Sequence, residues 1–149
     1  MTTRTSDGHA LGTTLLRLIV GVTFAAHGSM KLFGFGIAGT AGFLGTLGVP
    51  MPAVMAPVLI ATELGGGVLL VLGLLTRYVS IPLIVTMVVA IATVHLQHGF
   101  FMPQGYEFAL LLGVATLTLA LQGSGAFALD NVIGSRRTGT GDAAFQRAA

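Results

Sequence analysis

The chain has no cysteine among its 149 residues and very little charge, and both absences narrow its chemistry. Without thiols it can form no disulfide, no cysteine-ligated zinc or iron–sulfur site and no thiol redox pair. Any redox reaction therefore needs a cofactor that cysteine does not hold. Only 8% of the residues are charged and 54% are hydrophobic. A soluble domain of this length needs a charged surface, which this chain lacks the residues to build.

The mean hydropathy of +0.91 predicts an integral membrane protein instead. The formal net charge of +2 is small and divided between the two ends of the chain, so nucleic acid is a poor candidate partner. Residues 1–10 are polar, and the first apolar stretch is too long for a cleaved signal and is interrupted by Arg17. We therefore predict that this stretch is a retained helix.

Four apolar stretches are long enough to cross a bilayer, which takes about 20 residues of helix. They run from about Leu11 to Phe33, Ala53 to Leu75, Tyr78 to Leu96 and Tyr106 to Phe127. Backbone polar groups cannot stay unpaired in lipid, so these stretches are predicted to be helices. The expected fold class is all-α: an integral membrane four-helix bundle over residues 11–130, between a polar segment 1–10 and a disordered cytoplasmic tail 131–149.

The connections fit an up-and-down bundle. Residues 75–78 predict a tight turn between the second and third helices, and Pro103 and Gly105 interrupt the chain before the fourth. The first connection, residues 34–52, is longer and rich in glycine, with apolar residues at helical spacing. It predicts a short helix that lies in the membrane interface.

Four crossings place both termini on one side of the membrane. The arginines on that side are Arg4, Arg77, Arg136, Arg137 and Arg147, whereas the opposite side has only Lys31. The positive-inside rule then puts both termini in the cytoplasm.

Ionisable residues in the apolar stretches are costly in lipid and mark either a polar site or an internal ion pair. In the predicted orientation most of them gather in the outer half of the bundle. The candidate cofactor-binding residues are His27, Lys31, Glu63, His95, Tyr106 and Glu107. Glu63 lies near mid-membrane and needs a cationic partner, for which Arg17 and Lys31 are the candidates. A structural Arg17–Glu63 ion pair is one expectation.

Such a cluster suits proton-coupled chemistry, because histidine titrates near neutral pH and a carboxyl group in low dielectric can be shifted toward that range. Quinone reduction or quinol oxidation needs a hydrogen-bonding group near each ring oxygen and a path for protons. Histidine and glutamate at a membrane boundary meet that need, and Phe100, Phe101 and Tyr106 would supply apolar walls. The pattern identifies no residue as catalytic.

Simpler interpretations stay open. Lys31 can extend to the lipid headgroups, with His27 tolerated in the same zone, and Glu63 can serve an internal ion pair without any ligand. His95, His98 and Glu107 have the chemistry of metal ligands, but histidines at i,i+3 are common and no fuller motif surrounds them. No metal site is predicted.

Several segments, in order, resemble the DoxX family. They are Leu16 to Gly21, His27 to Leu32, Glu63 to Gly67, Leu72 to Arg77, His95 before Gly99 to Phe101, Tyr106-Glu107, and Gln122 to Ala126 followed by Leu129-Asp130. The similarity covers about residues 13–131. The resemblance implies a four-helix, multi-pass bundle in the bacterial inner (plasma) membrane, related to membrane subunits of quinol and thiosulfate–quinone oxidoreductases. The family's recurring polar positions fall on Arg17, His27, Lys31, Glu63, His95, Tyr106, Glu107 and Asp130.

The expected function is a DoxX-like membrane subunit with quinone-linked redox chemistry or proton-coupled small-molecule binding at the outer polar cluster. Quinone is the candidate cofactor, and the bilayer and other proteins of a membrane complex are the candidate partners. One alternative is a non-catalytic anchor or assembly subunit of a redox complex. Another is a small-molecule or proton pathway, which would need a homo-oligomer because four helices are few for a carrier.

Overall fold

The computed structural model describes residues 3–133, and the regular elements in this range are all helices. The α-helices are α1 (Thr3–Ser29), α2 (Gly36–Thr46), α3 (Pro52–Leu72), α4 (Thr76–Ala90) and α5 (Glu107–Gln122). A π-helical segment, Met30–Phe35, joins α1 to α2. A second one, Ile91–His95, follows α4 and ends in the 3-10 turn Leu96–His98. The predicted all-α class is confirmed.

Three helical stretches are long and apolar enough to cross a membrane: Gly8–Thr46, Pro52–Leu72 and Thr76–His98. The fourth helix, α5, is apolar but has 16 residues, so at about 1.5 Å per residue it is about 24 Å long. Large apolar side chains are exposed on the helices, among them Ile19 at 68% and Leu111 at 68%. Lipid, rather than water, suits such surfaces. The fourth crossing and the cytoplasmic position of both termini stay predictions.

Several element boundaries differ from the predicted ones. The first helix begins at Thr3 rather than near Leu11, so polar residues of the segment 1–10 extend it. The first connection holds the predicted short helix, α2, but the chain reaches it by continuing through the π-helical segment and turning at Gly36, where φ is +69°. The fourth helix ends at Gln122 rather than Phe127, because Gly123 takes a φ of +90°.

The position of α2 in the membrane interface and the division of the chain at residues 11 and 130 stay predictions. Of the predicted disordered tail, residues 131–133 continue a helical turn that begins at residue 129. The rest of that tail lies outside the described residues.

The predicted tight turn between α3 and α4 forms at residues 73–75 and makes these two helices an antiparallel hairpin. Gly73, with a left-handed φ of +69°, donates its N–H to the Leu70 carbonyl, and the Leu74 N–H donates to the Leu69 carbonyl at 2.9 Å. This pair of bonds is a Schellman ending, which satisfies the last carbonyl groups of the helix. The turn is therefore encoded by Gly73, just before the segment that the sequence pattern indicated.

Small residues bring α1 and α3 unusually close. A Cβ atom on Gly28 would overlap the backbone nitrogen of Leu64, and one on Gly67 would overlap the backbone nitrogen of Ala25. Glycine at these positions lets two membrane helices approach backbone to backbone. Because Leu64 follows Glu63, this contact also brings the end of α1 beside the Glu63 carboxylate.

The apolar core fills the space between α1, α3, α4 and α5. Its buried members are Val20, Phe24, Leu70, Leu83, Met87, Ala109, Leu112 and Leu119. The helix α1 packs chiefly on α3, and α4 packs chiefly on α5. The bundle thus consists of two helix pairs that share this core.

We expect Gly67→Ala to destabilise the bundle by about 1–3 kcal/mol, because overpacking a close contact forces the backbones apart. Gly65→Ala in the same helix is the matched control, since a Cβ there meets nothing within 4 Å. That control should be neutral or slightly stabilising, because alanine favours a helix over glycine. Thermal unfolding of the purified protein in detergent measures both variants, and equal melting temperatures would contradict the close approach of α1 and α3.

Candidate functional site

Lys31 and Glu63 form an ion pair inside the bundle. The Lys31 Nζ donates to the Glu63 Oε2 at 2.5 Å, and the two side chains are 20% and 5% exposed. Lys31 comes from the π-helical segment after α1, and Glu63 comes from α3. A lone charge in this interior would carry a large desolvation cost, so each group neutralises the other.

The π-helical segment that carries Lys31 is anchored by α2. Thr40 on α2 is buried, and its hydroxyl donates to the Lys31 carbonyl at 3.2 Å. π-Helical turns are rare in proteins, but those that do occur are often at functional sites. There they alter the direction of the side chains that they carry. The second such segment ends at His95, another residue of the predicted cluster. Sequence periodicity gave no sign of either segment.

His27 lies beside the ion pair, with its side chain on the exposed surface of the bundle. It is close enough to interact electrostatically with both Lys31 and Glu63. Its ring centroid lies 6.2 Å from that of Phe108, near the start of α5, with the rings inclined by 34°. His27 therefore joins the α1–α3 pair to α5 at this end of the bundle, on a surface that lipid can reach.

His95, Tyr106 and Glu107 hold the loop before α5. His95 Nδ1 makes a 2.8 Å hydrogen bond with the Gln104 carbonyl, so this nitrogen carries the proton. The Glu107 carboxylate accepts the Met102 N–H at 2.8 Å. The Tyr106 ring packs edge-on against Phe100, with centroids 5.4 Å apart. These contacts close the loop on its own backbone.

The structure thus divides the six predicted site residues into two groups at one end of the bundle. One group is the Lys31–Glu63 pair with His27, and the other is the loop group of His95, Tyr106 and Glu107. Within residues 3–133, the hydrogen bonds and ion pairs of Glu63 involve neither His95 nor Glu107. A single site built from all six residues remains a prediction.

The expected Arg17–Glu63 ion pair is wrong, since Glu63 pairs with Lys31. Arg17 is 1% exposed and lies toward the other end of α1. There its Nη2 donates to the Phe127 carbonyl at 3.4 Å, and its charge interacts with that of Asp130. The contact of Gly28 with Leu64 sets this register, because Arg17 lies about three helical turns before Gly28.

Asp130 caps α4 from the far end of the chain. Its Oδ1 accepts the Leu75 N–H at 2.9 Å, and its Oδ2 accepts the Ser124 hydroxyl at 2.6 Å and the Thr76 N–H at 3.4 Å. Burial acts to raise the pKa of Asp130, but these hydrogen bonds and the charge of Arg17 hold it below its ordinary value. Local sequence could not show this cap, since an N-cap is recognised by residues adjacent in the chain.

The structure does not bring His95, His98 and Glu107 together as three metal ligands. Within residues 3–133, no three histidine, aspartate or glutamate side chains gather as a metal ion would require. The alternative metal site built from His95, His98 and Glu107 is therefore set aside.

Apolar helices with lipid-suited surfaces and a buried ion pair between two of them define a small multi-pass membrane protein. The chain belongs to the DoxX family, whose model matches residues 12–96. The resemblance drawn from the sequence is confirmed.

Curated relatives cover most of the chain. It is 42% identical over 120 residues to the Bacillus subtilis protein named "Putative oxidoreductase CatD". The aligned region covers 80% of this chain and 85% of that protein. It is 28% identical over 131 residues to the Escherichia coli "Inner membrane protein YqjF", covering 85% of this chain and 95% of that protein. No solved structure shows a significant match. Together with the apolar helices, these relatives identify a multi-pass inner-membrane protein.

We expect Lys31→Met to cost about 3–5 kcal/mol of stability, because it leaves the Glu63 charge buried without a partner. The double variant Lys31→Met, Glu63→Gln should recover most of that loss, since neither residue then carries an uncompensated charge. Unfolding of both single variants and the double variant in detergent gives the coupling between the two positions. Purely additive losses would contradict a direct ion pair.

Asp130 predicts a specific pH dependence. Its folded pKa lies below the unfolded value of about 3.9, so its stabilisation is fully present above that value and is lost as the pH falls through the folded pKa. Asp130→Asn should lower stability by about 1 kcal/mol at neutral pH and flatten the decline below pH about 4. Asp142→Asn, in the tail, is the charge-matched control. Melting curves with the same acid slope for both variants would contradict the cap.

Proposed function

We propose that this chain is a quinone-linked redox subunit, with its ligand site at Lys31, Glu63 and His27. The observation that carries the proposal is the buried Lys31–Glu63 ion pair with an exposed histidine beside it. Intramembrane ionisable groups in this arrangement are typical of ligand and proton sites.

The three side chains fit a quinone headgroup. When bound, a quinone supplies the electron and proton uptake that a chain without cysteine does not provide. Lys31 has three N–H donors, and its bond to Glu63 leaves others free to reach a ring oxygen. His27 presents a ring nitrogen that can donate or accept a hydrogen bond at a quinone oxygen. Glu63 holds the ammonium group of Lys31 in position through their hydrogen bond.

Access from the bilayer supports the same site. His27 is exposed and Lys31 is partly exposed, whereas Glu63 is almost fully covered. A lipid-soluble ring can therefore approach Lys31 and His27 from the acyl chains, with Phe108 as an apolar neighbour. The ion pair would form the inner wall of that site, and the membrane would exclude bulk water from it.

The relative from Bacillus subtilis supports the redox part of this proposal, because it bears the name "Putative oxidoreductase CatD". Neither that name nor the family description specifies an acceptor, so quinone rests on the chemistry of the three side chains.

A non-catalytic anchor is the second candidate. It is favoured by the loop group, because His95 and Glu107 form hydrogen bonds with backbone groups of their own loop. In that case the chain would assemble a partner complex, and the Lys31–Glu63 pair would serve stability alone. Capture of a partner by a preparation with no affinity for quinone would favour the anchor.

We expect the purified protein to retain quinone and to bind added ubiquinone-1 or a menaquinone analogue in nanodiscs. His27→Leu should weaken that binding by about tenfold, the effect of one lost hydrogen bond of about 1.4 kcal/mol. His98→Leu is the matched control, since the Nδ1 of His98 is bonded to the Val94 carbonyl and His98 lies outside the proposed site.

Organic extraction with chromatography measures the retained quinone, and titration measures the affinity. The absence of quinone and of affinity in the wild-type protein would contradict the proposal. So would equal losses in the His27 and His98 variants.

A further inference from the structure

A cleft of about 530 Å³ opens at the end of the bundle opposite Lys31 and Glu63. It forms where the beginning of α1, the turn between α3 and α4, and the end of α5 meet. The residues that line it include His9, Thr13, Thr76, Arg77, Gln122 and Asp130. None of them takes part in the proposed quinone site, so this cleft requires its own explanation.

Thr76, in the lining of this cleft, has an unsatisfied hydroxyl group. The residue is 1% exposed, and its Oγ1 has no hydrogen-bond partner among the described residues. Its backbone groups are used, since its carbonyl accepts the Ser80 hydroxyl at 2.7 Å and its N–H reaches Asp130. Buried hydroxyl groups are nearly always paired, so this one indicates an acceptor that the chain itself does not supply.

The same cleft offers donors for an anion. Arg77 is exposed, and its side chain makes one long hydrogen bond of 3.4 Å, to the Gln122 carbonyl. It follows Thr76 at the N-terminus of α4, a helix of 15 residues. The Arg77 and Tyr78 N–H groups lie in the first turn, where no intrahelical carbonyl is available to them. The helix end adds partial positive charge in the same direction.

The carboxylate of Asp130 does not exclude an anion from this cleft. It already accepts three hydrogen bonds, from Leu75, Thr76 and Ser124, and the buried charge of Arg17 faces it. Its negative charge is therefore satisfied from within the protein. Arg77 is left as the cation of the cleft without an ionic partner among residues 3–133.

We propose that this cleft binds a phosphate group, held by the Arg77 guanidinium, the Thr76 hydroxyl and the free N–H groups of α4. Phospholipid headgroups and soluble phosphates share this chemistry. The neighbouring Tyr78 is 73% exposed, and exposed tyrosine is enriched at the level of the headgroups. A phosphate of an anionic lipid is therefore the expected source.

The test is the melting temperature of the full-length protein in phosphatidylcholine nanodiscs, with and without phosphatidylglycerol, and in detergent with inorganic phosphate or chloride at equal ionic strength. Phosphatidylglycerol should raise the melting temperature, and Arg77→Gln should remove at least half of that rise. Arg136→Gln, which deletes the same charge from the tail, is the control and should keep the full rise. An equal response to inorganic phosphate would support the site and make soluble phosphate its source.

Thr76→Val gives a second, independent readout. Without an anionic ligand it should be at least as stable as the wild-type protein, because it removes an unsatisfied buried hydroxyl. With phosphatidylglycerol it should gain less. If Arg77→Gln and Arg136→Gln respond alike, or if Thr76→Val keeps the full rise, the site is overturned in favour of general attraction between a basic face and an anionic membrane.

Discussion

The ion pair between Lys31 and Glu63 is the constraint around which the site end of this bundle is organised. A carboxylate in the middle of an apolar helix must be neutralised, and the cation comes from the neighbouring helix. Glycine at position 28 lets the two backbones touch, and this contact places the end of α1 beside Glu63. The exposed His27 then lies next to a charge pair rather than on bare apolar surface.

The opposite end of the bundle also holds a buried charge, with different partners. Arg17 is buried in α1, and the carboxylate that offsets its charge is Asp130, which follows α5 in the chain. Arg17 in α1 and Lys31 in the π-helical segment that continues α1 thus supply the two cations, and the anions come from α3 and from the segment after α5. Because Asp130 also caps α4, one carboxylate ties the beginning of α4 to the segment after α5 and, through the charge of Arg17, to α1.

The sequence predicted the all-α membrane class, the family and the approximate positions of the helices. These depend on the lengths of apolar stretches and on the order of short motifs, which are local properties of the chain. The sequence could not predict the partners of the charges. The position of each charged residue along its helix could be predicted from the sequence. Arg17 and Lys31 were nevertheless equivalent candidates for the ion-pair partner of Glu63, until the contact at Gly28 fixed how α1 and α3 are aligned. The loop contacts of His95 and Glu107 are made with backbone groups, which no residue pattern reveals. Asp130 was known only as a recurring position, since the helix that it caps is remote in the chain.

Lys31 and Glu63 are direct ion-pair partners, and the organisation of this end of the bundle depends on that pair. Exchanging their charges tests it most directly: Lys31→Glu and Glu63→Lys each place two like charges together, and the double exchange restores an ion pair with the opposite polarity. We expect both single variants to be strongly destabilised in detergent and the double exchange to melt well above either of them. If the double variant loses as much stability as the two single variants together, the direct Lys31–Glu63 ion pair is contradicted.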